Sequence, residues 1–252
     1  MVSKNLFLES VEKNGYFHFK SAISKDKIKL LNEDTIRTLK LKNPYVKKNY
    51  FYVAHNFSSN LLKFLEYNPI QKYVDLIMGK NCIIHSYSAV NLPPSENNII
   101  QNKIHRDTAR FCRPYLLSSQ IIVLLDDFTK KNGATYFYPK SHFMSKKPSR
   151  KDFNLKSFQI EGRAGDIIFF DSLMWHCGGI NKTKFDRKCL TVVYNRPFMK
   201  QQIDLSSATK KNIKDKIGKQ TKRLLGFNAR VPKNIKEFNL PLNERHYKPN
   251  QE

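Results

Sequence analysis

His105 and Asp107 stand two positions apart in Asn102-Lys103-Ile104-His105-Arg106-Asp107. At that spacing the side chains of an extended segment share one face. An imidazole nitrogen and a carboxylate oxygen on one face can grip a single metal ion, while Ile104 and Arg106 point the other way. A third ligand has to come from elsewhere, and His176 is the best candidate. It follows the strand-like run Ile167-Ile168-Phe169-Phe170 and precedes Gly178-Gly179. Two imidazoles and one carboxylate on one side of a metal form the facial set that holds non-haem Fe(II) and leaves three adjacent positions open. Alone, a His-x-Asp pair is an ordinary surface histidine beside a capping aspartate. The Gly165-Asp166 turn, the Asn132-Gly133 turn, His176 and Arg187 together raise the metal reading.

Arg187 adds a second kind of chemistry. A planar guanidinium can hold a carboxylate through two parallel hydrogen bonds, which a lysine cannot copy. The bland alternative is a structural arginine paired with Asp186 or Asp171, and taken alone the two readings are even.

The segments His105-Arg106-Asp107-Thr108, Asn132-Gly133-Ala134-Thr135, Pro139-Lys140-Ser141-His142, Gly165-Asp166 through Phe170, and His176 through Asn181 to Arg187 occur in that order. This order resembles the phytanoyl-CoA dioxygenase family of Fe(II)- and 2-oxoglutarate-dependent oxygenases, over roughly residues 80 to 200. The resemblance implies a double-stranded β-helix, the cupin-like jelly roll, with iron at one end of the barrel. It implies 2-oxoglutarate as cosubstrate and O2 as oxidant, with Arg187 on the distal carboxylate and Asn102 and Thr135 as further polar contacts. The implied reaction is hydroxylation of a small-molecule metabolite with release of succinate and CO2. Two positions depart from the family pattern. Lys140 replaces the glycine of Pro-Gly-Ser-His, and Gly178 stands where a hydroxyl residue often lies. His142 is expected to be structural, and His18, His55, His85 and His246 to be surface or satisfied core residues. Arg110 and Arg113, shortly after Asp107, could meet an anionic group on the substrate, or could equally pair with local acids or face solvent.

These residues need elements to position them. The N-terminal 80 residues read as mainly helical. Ser24 could cap a helix with Ile28, Leu31, Ile36 and Leu39 on one face, Ser58 could start a second, and a third could run from Pro69 to Gly79. From 81 to 200 the pattern is strand-like: Ile83 to Val90, the apolar run Gln120 to Leu125, Ala134 to Tyr138 after an Asn-Gly hairpin signal, Ile167 to Phe170, and Leu190 to Tyr194. The expected fold is mainly β with flanking helices (α+β), in one unit over 1–252. Residues 201–252 form a basic extension, with a helix expected from Thr209 to Leu225.

Composition sets the outer limits. The chain has 252 residues and 40% hydrophobic content, enough for a sizeable core. No apolar run approaches the roughly 20 residues of a membrane span, and no secretory signal is read at the N-terminus, so cytoplasmic residence is the default expectation. Four cysteines without a C-x-x-C pair are expected to be reduced thiols. The net charge of +24 permits nucleic-acid binding, but lysines scattered along the chain fit a solvated basic surface better. No P-loop, G-x-G-x-x-G or G-x-S-x-G is present, so NTPase, Rossmann and hydrolase readings lack support.

Overall fold

The computed structural model describes residues 2–94, 103–108 and 110–245. Along the chain, helix α1 (Lys4–Asn14), strand β1 (Tyr16–Phe19), α2 (Lys25–Leu39), β2 (Val46–Lys47), β3 (Tyr50–Tyr52), α3 (Ser59–Glu66) and α4 (Gln71–Met78) lead into β4 (Ile83–Leu92) and β5 (Ser118–Leu124). There follow β6 (Tyr136–Phe137), α5 (Arg150–Lys156), β7 (Phe158–Gln159), β8 (Ile167–Asp171), β9 (His176–Cys177) and β10 (Arg187–Asn195). The strands form a seven-stranded sheet in the order β1-β8-β5-β10-β4-β3-β2 and a three-stranded sheet in the order β7-β6-β9. All the pairings are antiparallel. Two facing antiparallel sheets with flanking helices are the jelly roll expected from the sequence.

Alternation along the strands separates two cores. On β10, Leu190, Val192 and Tyr194 face the helices, where they join Ile121, Val123 and Phe169 against Phe7, Leu61, Leu65 and Val74. Cys189 on the other face joins Ile122, Leu124, Ile168 and Phe170 against Phe137 of the smaller sheet and Ile160 just after β7. β5 is buried at every residue because helices cover one of its faces and the small sheet covers the other. This is why its sequence is a continuous apolar run rather than an alternation.

The helices begin where capping chemistry allows. Ser58 accepts a hydrogen bond from the Leu61 amide at 2.9 Å and opens α3. α2 buries Ile28 and Leu31 and leaves Ile36 41% exposed, so the expected apolar face is narrower. The helical reading of the first 80 residues misses three strands. β1 pairs with β8 at one edge of the large sheet, and β3 pairs with β4 at the other. Both are too short for a period-2 signal to stand out. Asp166 fastens the first edge: its carboxylate accepts from the Ser21 and Arg163 amides at 2.7 and 3.0 Å and meets His18 Nε2 at 2.9 Å.

The Asn132-Gly133 turn is not a hairpin. It carries the chain from β5 in one sheet to β6 in the other, and only Tyr136–Phe137 of the expected strand is strand. Gly133 has φ +81, and a Cβ there would lie 2.7 Å from the Gly179 carbonyl oxygen. Asn132 ties the crossover by accepting from the Thr129 amide and donating to the Asp127 carbonyl. The Asn-Gly signal is the same for both uses of the turn. Lys140, which replaces the family's glycine, takes the left-handed conformation that a glycine would take, with φ 63 and ψ 1.

The helix expected from Thr209 to Leu225 is broken into α7 (Lys211–Lys214) and α8 (Lys219–Leu224), with α6 (Leu205–Ala208) before it and α9 (Ile235–Phe238) after it. Gly218 interrupts it where a Cβ would meet the Glu66 carboxylate at 2.6 Å. The pieces dock on the N-terminal part instead. Thr209 Oγ1 meets His55 Nε2 at 3.0 Å, and Asn56 donates to the Ala208 carbonyl. Ile217, Leu224 and Leu225 are buried. All four cysteines are free thiols. No helix among the described residues is long and apolar enough to cross a membrane.

Candidate metal centre

His105 continues the small sheet beyond β9. Its amide donates to the His176 carbonyl at 3.0 Å, and the His176 amide donates back at 2.9 Å. The rings of this pair lie 4.2 Å apart. Two residues on, the Asp107 and Thr108 amides share the Ser172 carbonyl at 2.9 and 3.1 Å. The turn between β8 and β9 thus fixes Asp107 as firmly as the strand pairing fixes the histidines.

The imidazole tautomers follow from their partners. His105 Nδ1 lies 2.8 Å from the Lys103 carbonyl, and His176 Nδ1 lies 3.0 Å from the Met174 carbonyl. A carbonyl only accepts, so each Nδ1 carries the proton and each Nε2 presents a bare lone pair. Both lone pairs converge on Asp107: His105 Nε2 lies 3.7 Å from Oδ1 and His176 Nε2 lies 3.8 Å from Oδ2. The three donor atoms lie within 4.8 Å of one another. Three acceptors with no proton between them repel, and a cation among them turns that repulsion into binding. Two neutral nitrogens and one carboxylate suit a divalent transition metal such as iron.

Burial completes the arrangement. His176 is buried, with Phe137 stacked at 5.8 Å and Phe170 edge-on at 5.0 Å. Burial pushes its pKa below the ordinary value, opposed by the Asp107 charge, so the ring is neutral and ready to ligate at neutral pH. Asp107 sits at the open rim.

Arg187 opens β10 and faces the space between the sheets, as Cys189 does two residues on. It is 5% exposed, and its Nε has no hydrogen-bond partner among the described residues. Its guanidinium carbon lies 4.0 Å from the Phe128 ring centre. Burial draws its pKa below the ordinary value, opposed by Cys189 and Asp126. Both bland partners are engaged elsewhere: Asp186 accepts from Asn91 at 2.9 Å, and Asp171 pairs with Arg113. A buried guanidinium without a counter-ion is costly, and an anionic ligand would supply one. Thr135 is buried just before β6, on the face that Phe137 presents to the His176 ring. Asn102 lies outside the described residues, as does His246.

Arg113 is not free to meet a substrate. It pairs with the fully buried Asp171, has the Glu12 carboxylate at 4.0 Å and lies over the Phe143 ring. Arg110 is exposed. Burial raises the Asp171 pKa to about 6, with Arg113 as the main opposing influence. A carboxyl raised on folding contributes most stability below its unfolded pKa, and that contribution is lost as pH rises through the folded value. Arg113→Ala removes the compensating charge, so its destabilisation should be larger at pH 8 than at pH 4. At the higher pH we expect about 3–5 kcal/mol, the range for breaking a buried pair. Chemical denaturation at the two pH values checks this, and an equal loss at both would deny the pair its electrostatic role.

His18, His55 and His142 are engaged away from the triad. His142 Nε2 donates to the Glu12 carbonyl at 3.0 Å, and burial lowers its pKa to about 4. His55 is buried against Thr209. Sequence reasoning misses the cleft beside the triad, about 380 Å³, where Asp107 and Thr108 meet His85, Ser118, Asn195 and Gln202. No spacing pattern joins positions so distant in sequence. The net charge has a local expression on another face. Lys130, Lys131, Arg150 and Lys182 line a cleft of about 530 Å³ that also contains Cys177. Cys177 follows His176 on β9, so its side chain points away from the triad.

Comparison with known proteins agrees with this geometry. An uncharacterized protein of Mycobacterium tuberculosis is 30% identical over 199 residues, covering 77% of this chain and 73% of the relative. The human peroxisomal phytanoyl-CoA dioxygenase is 25% identical over 178 residues, covering 62% of this chain and 52% of the enzyme. Among solved structures, the epimerase SnoN, in complex with Fe3+, alpha ketoglutarate and nogalamycin RO, matches with a TM-score of 0.65 at 16% identity. That match covers 77% of this chain and 84% of the other, and at such identity it speaks for the fold. The phytanoyl-CoA dioxygenase family model matches residues 11–189, a span that runs from α1 into the start of β10 and includes His105, Asp107, His176 and Arg187. The cofactor pair expected from the sequence, iron and 2-oxoglutarate, is that of this family. With a match over most of its length, the chain belongs to the phytanoyl-CoA dioxygenase family.

Proposed function

We propose that this protein is an Fe(II)- and 2-oxoglutarate-dependent hydroxylase of a small molecule. The observation that carries the reading is the convergence of two bare Nε2 lone pairs and one carboxylate on a single point. When bound, iron with 2-oxoglutarate and O2 supplies the oxidising power, and the cosubstrate leaves as succinate and CO2. The chain's own residues do the rest. His105, Asp107 and His176 hold the metal on one side and leave the opposite side open. Arg187 holds the distal carboxylate of the cosubstrate, and Thr135 lends a hydroxyl from the segment just before β6. Phe137 and Phe170 keep water from the buried side of His176. Asp107 fills the carboxylate position, so no place is vacated for a halide, which favours hydroxylation over halogenation.

The alternative of a nucleic-acid substrate takes its motive from the basic cleft. That cleft lies on the far side of β9 from His176, so a strand held there would not present its bases to the metal. A barrel that only binds would have no need of a complete facial set. The test is anaerobic titration with Fe(II) and 2-oxoglutarate, followed by succinate measurement on admitting O2. We expect 2-oxoglutarate to bind only when metal is present and succinate to form at a slow basal rate. Binding that is indifferent to the metal would remove the reading.

A further inference from the structure

The cleft beside Asp107 owes its shape to an irregularity in the large sheet. In the pairing of β4 with β10, Val193 faces Ser86 and Tyr194 faces Ile84, so His85 has no partner residue on β10. His85 is the extra residue of a β-bulge, a device that re-aims side chains next to active sites. In a regular strand His85 and Ser86 would face opposite ways. Here both line the same cleft.

The ring is anchored on one side and open on the other. His85 Nδ1 lies 3.1 Å from the Lys200 carbonyl, with the Asn195 amide also at 3.1 Å. The Gln202 amide donates to the His85 carbonyl at 3.1 Å. The Lys200 carbonyl can take a proton from Nδ1, and the Asn195 side-chain N–H can give one to it, so Nε2 accepts in one tautomer and donates in the other. Among the described residues no group of the protein takes that nitrogen. Apart from Asp107 the remaining described lining is uncharged, with polar Ser86, Ser118, Asn195 and Gln202 beside apolar Val193 and Met199. The chain has 45 lysines and arginines, yet none of the described residues lining this cleft is one. A carboxylate or phosphate entering here would find no lysine or arginine among the described lining to hold it.

We propose that His85 is a substrate-recognition residue whose Nε2 hydrogen-bonds to a hydroxyl or amide group of a neutral, polar small molecule. The inference rests on the oxygenase reading and replaces the anionic substrate that Arg110 and Arg113 suggest from sequence.

The test separates recognition from anchoring. The protein is loaded anaerobically with Fe(II) and 2-oxoglutarate. Calorimetry then measures binding of neutral polyols and lactams, and of the carboxylates and phosphate monoesters of the same skeletons. Binders should come from the neutral set. His85→Gln keeps a polar atom near the Nε2 position and should stay within about threefold of the parent for those binders. His85→Asn keeps the Nδ1-side contact to Lys200 but loses the Nε2-side group, and should bind about tenfold more weakly or worse. Thermal unfolding checks that both variants fold. A purely structural His85 would reverse the order, with Asn tolerated and Gln not. That reversal, binding confined to the anionic set, or no binder in the neutral set overturns the inference. Failure of the parent to take up 2-oxoglutarate with metal is a separate result, seen in the first titration, and removes the oxygenase reading together with this inference.

Discussion

His176→Ala should lose metal-dependent 2-oxoglutarate turnover entirely while keeping its fold. Two of the three donors remain, but the facial geometry does not. Metal retention should fall by more than the roughly 10–100-fold that loss of an outer contact costs. The decisive readout is stability with and without metal. In the metal-free parent, Nε2 of His105, Nε2 of His176 and the Asp107 carboxylate converge without a proton between them, so an added divalent cation should raise the unfolding temperature by mass action. In the variant one of the three repelling groups is gone, and the same addition should raise it little. A variant that still gained the parent's metal-dependent stabilisation, or still turned over, would send the third ligand elsewhere.

Much of this site is legible in the amino-acid sequence, for reasons that differ residue by residue. His105 and Asp107 are readable because a period of 2 in an extended segment is a local property. His176 is readable because an apolar strand and a glycine turn bracket it. The continuous run of β5 is readable because burial on both faces leaves no polar register to alternate. His85 is not readable. A bulge is a relation between two strands, and nothing in Ile83-Ile84-His85-Ser86 announces that β10 will skip one residue there. Arg113 misleads for a similar reason. Its proximity to Asp107 in sequence suggests the mouth of the site, whereas its partner Asp171 lies 58 positions away at the end of β8. The Asn-Gly turn shows the third kind of failure. The local chemistry that makes Gly133 necessary is the same whether the chain returns within one sheet or crosses to another, so the turn is visible and its topology is not. In each case what the sequence carries is the local conformation, and what it withholds is the partner.

Arg187 is where the partner question has the largest consequence. No carboxylate pairs with it among the described residues: Asp126, whose charge reaches it, pairs with Lys188, Asp171 pairs with Arg113, and Asp186 accepts from Asn91. The Phe128 ring at 4.0 Å gives its cation an aromatic face, and burial still disfavours its charge. The ligand-free protein therefore carries a cost that the distal carboxylate of 2-oxoglutarate would relieve. Arg187→Leu should have opposite effects on the two forms. Without 2-oxoglutarate the variant should be as stable as the parent or more so, because replacing a buried unpaired charge by an apolar group of similar bulk removes a desolvation penalty. With metal and 2-oxoglutarate the parent should gain stability and the variant should not. Loss of a buried charge-assisted contact costs roughly 2–5 kcal/mol, which is about 30-fold to several thousand-fold in the 2-oxoglutarate dissociation constant. Arg187→Lys should recover only part of this, since an ammonium is a point charge and cannot form two parallel bonds to a planar carboxylate. Calorimetric titration of the metal-loaded parent and variants measures all three affinities. An unchanged affinity in Arg187→Leu, with stability reduced whether or not 2-oxoglutarate is present, would make Arg187 a packing residue against Phe128 and leave the cosubstrate's distal end to be held elsewhere.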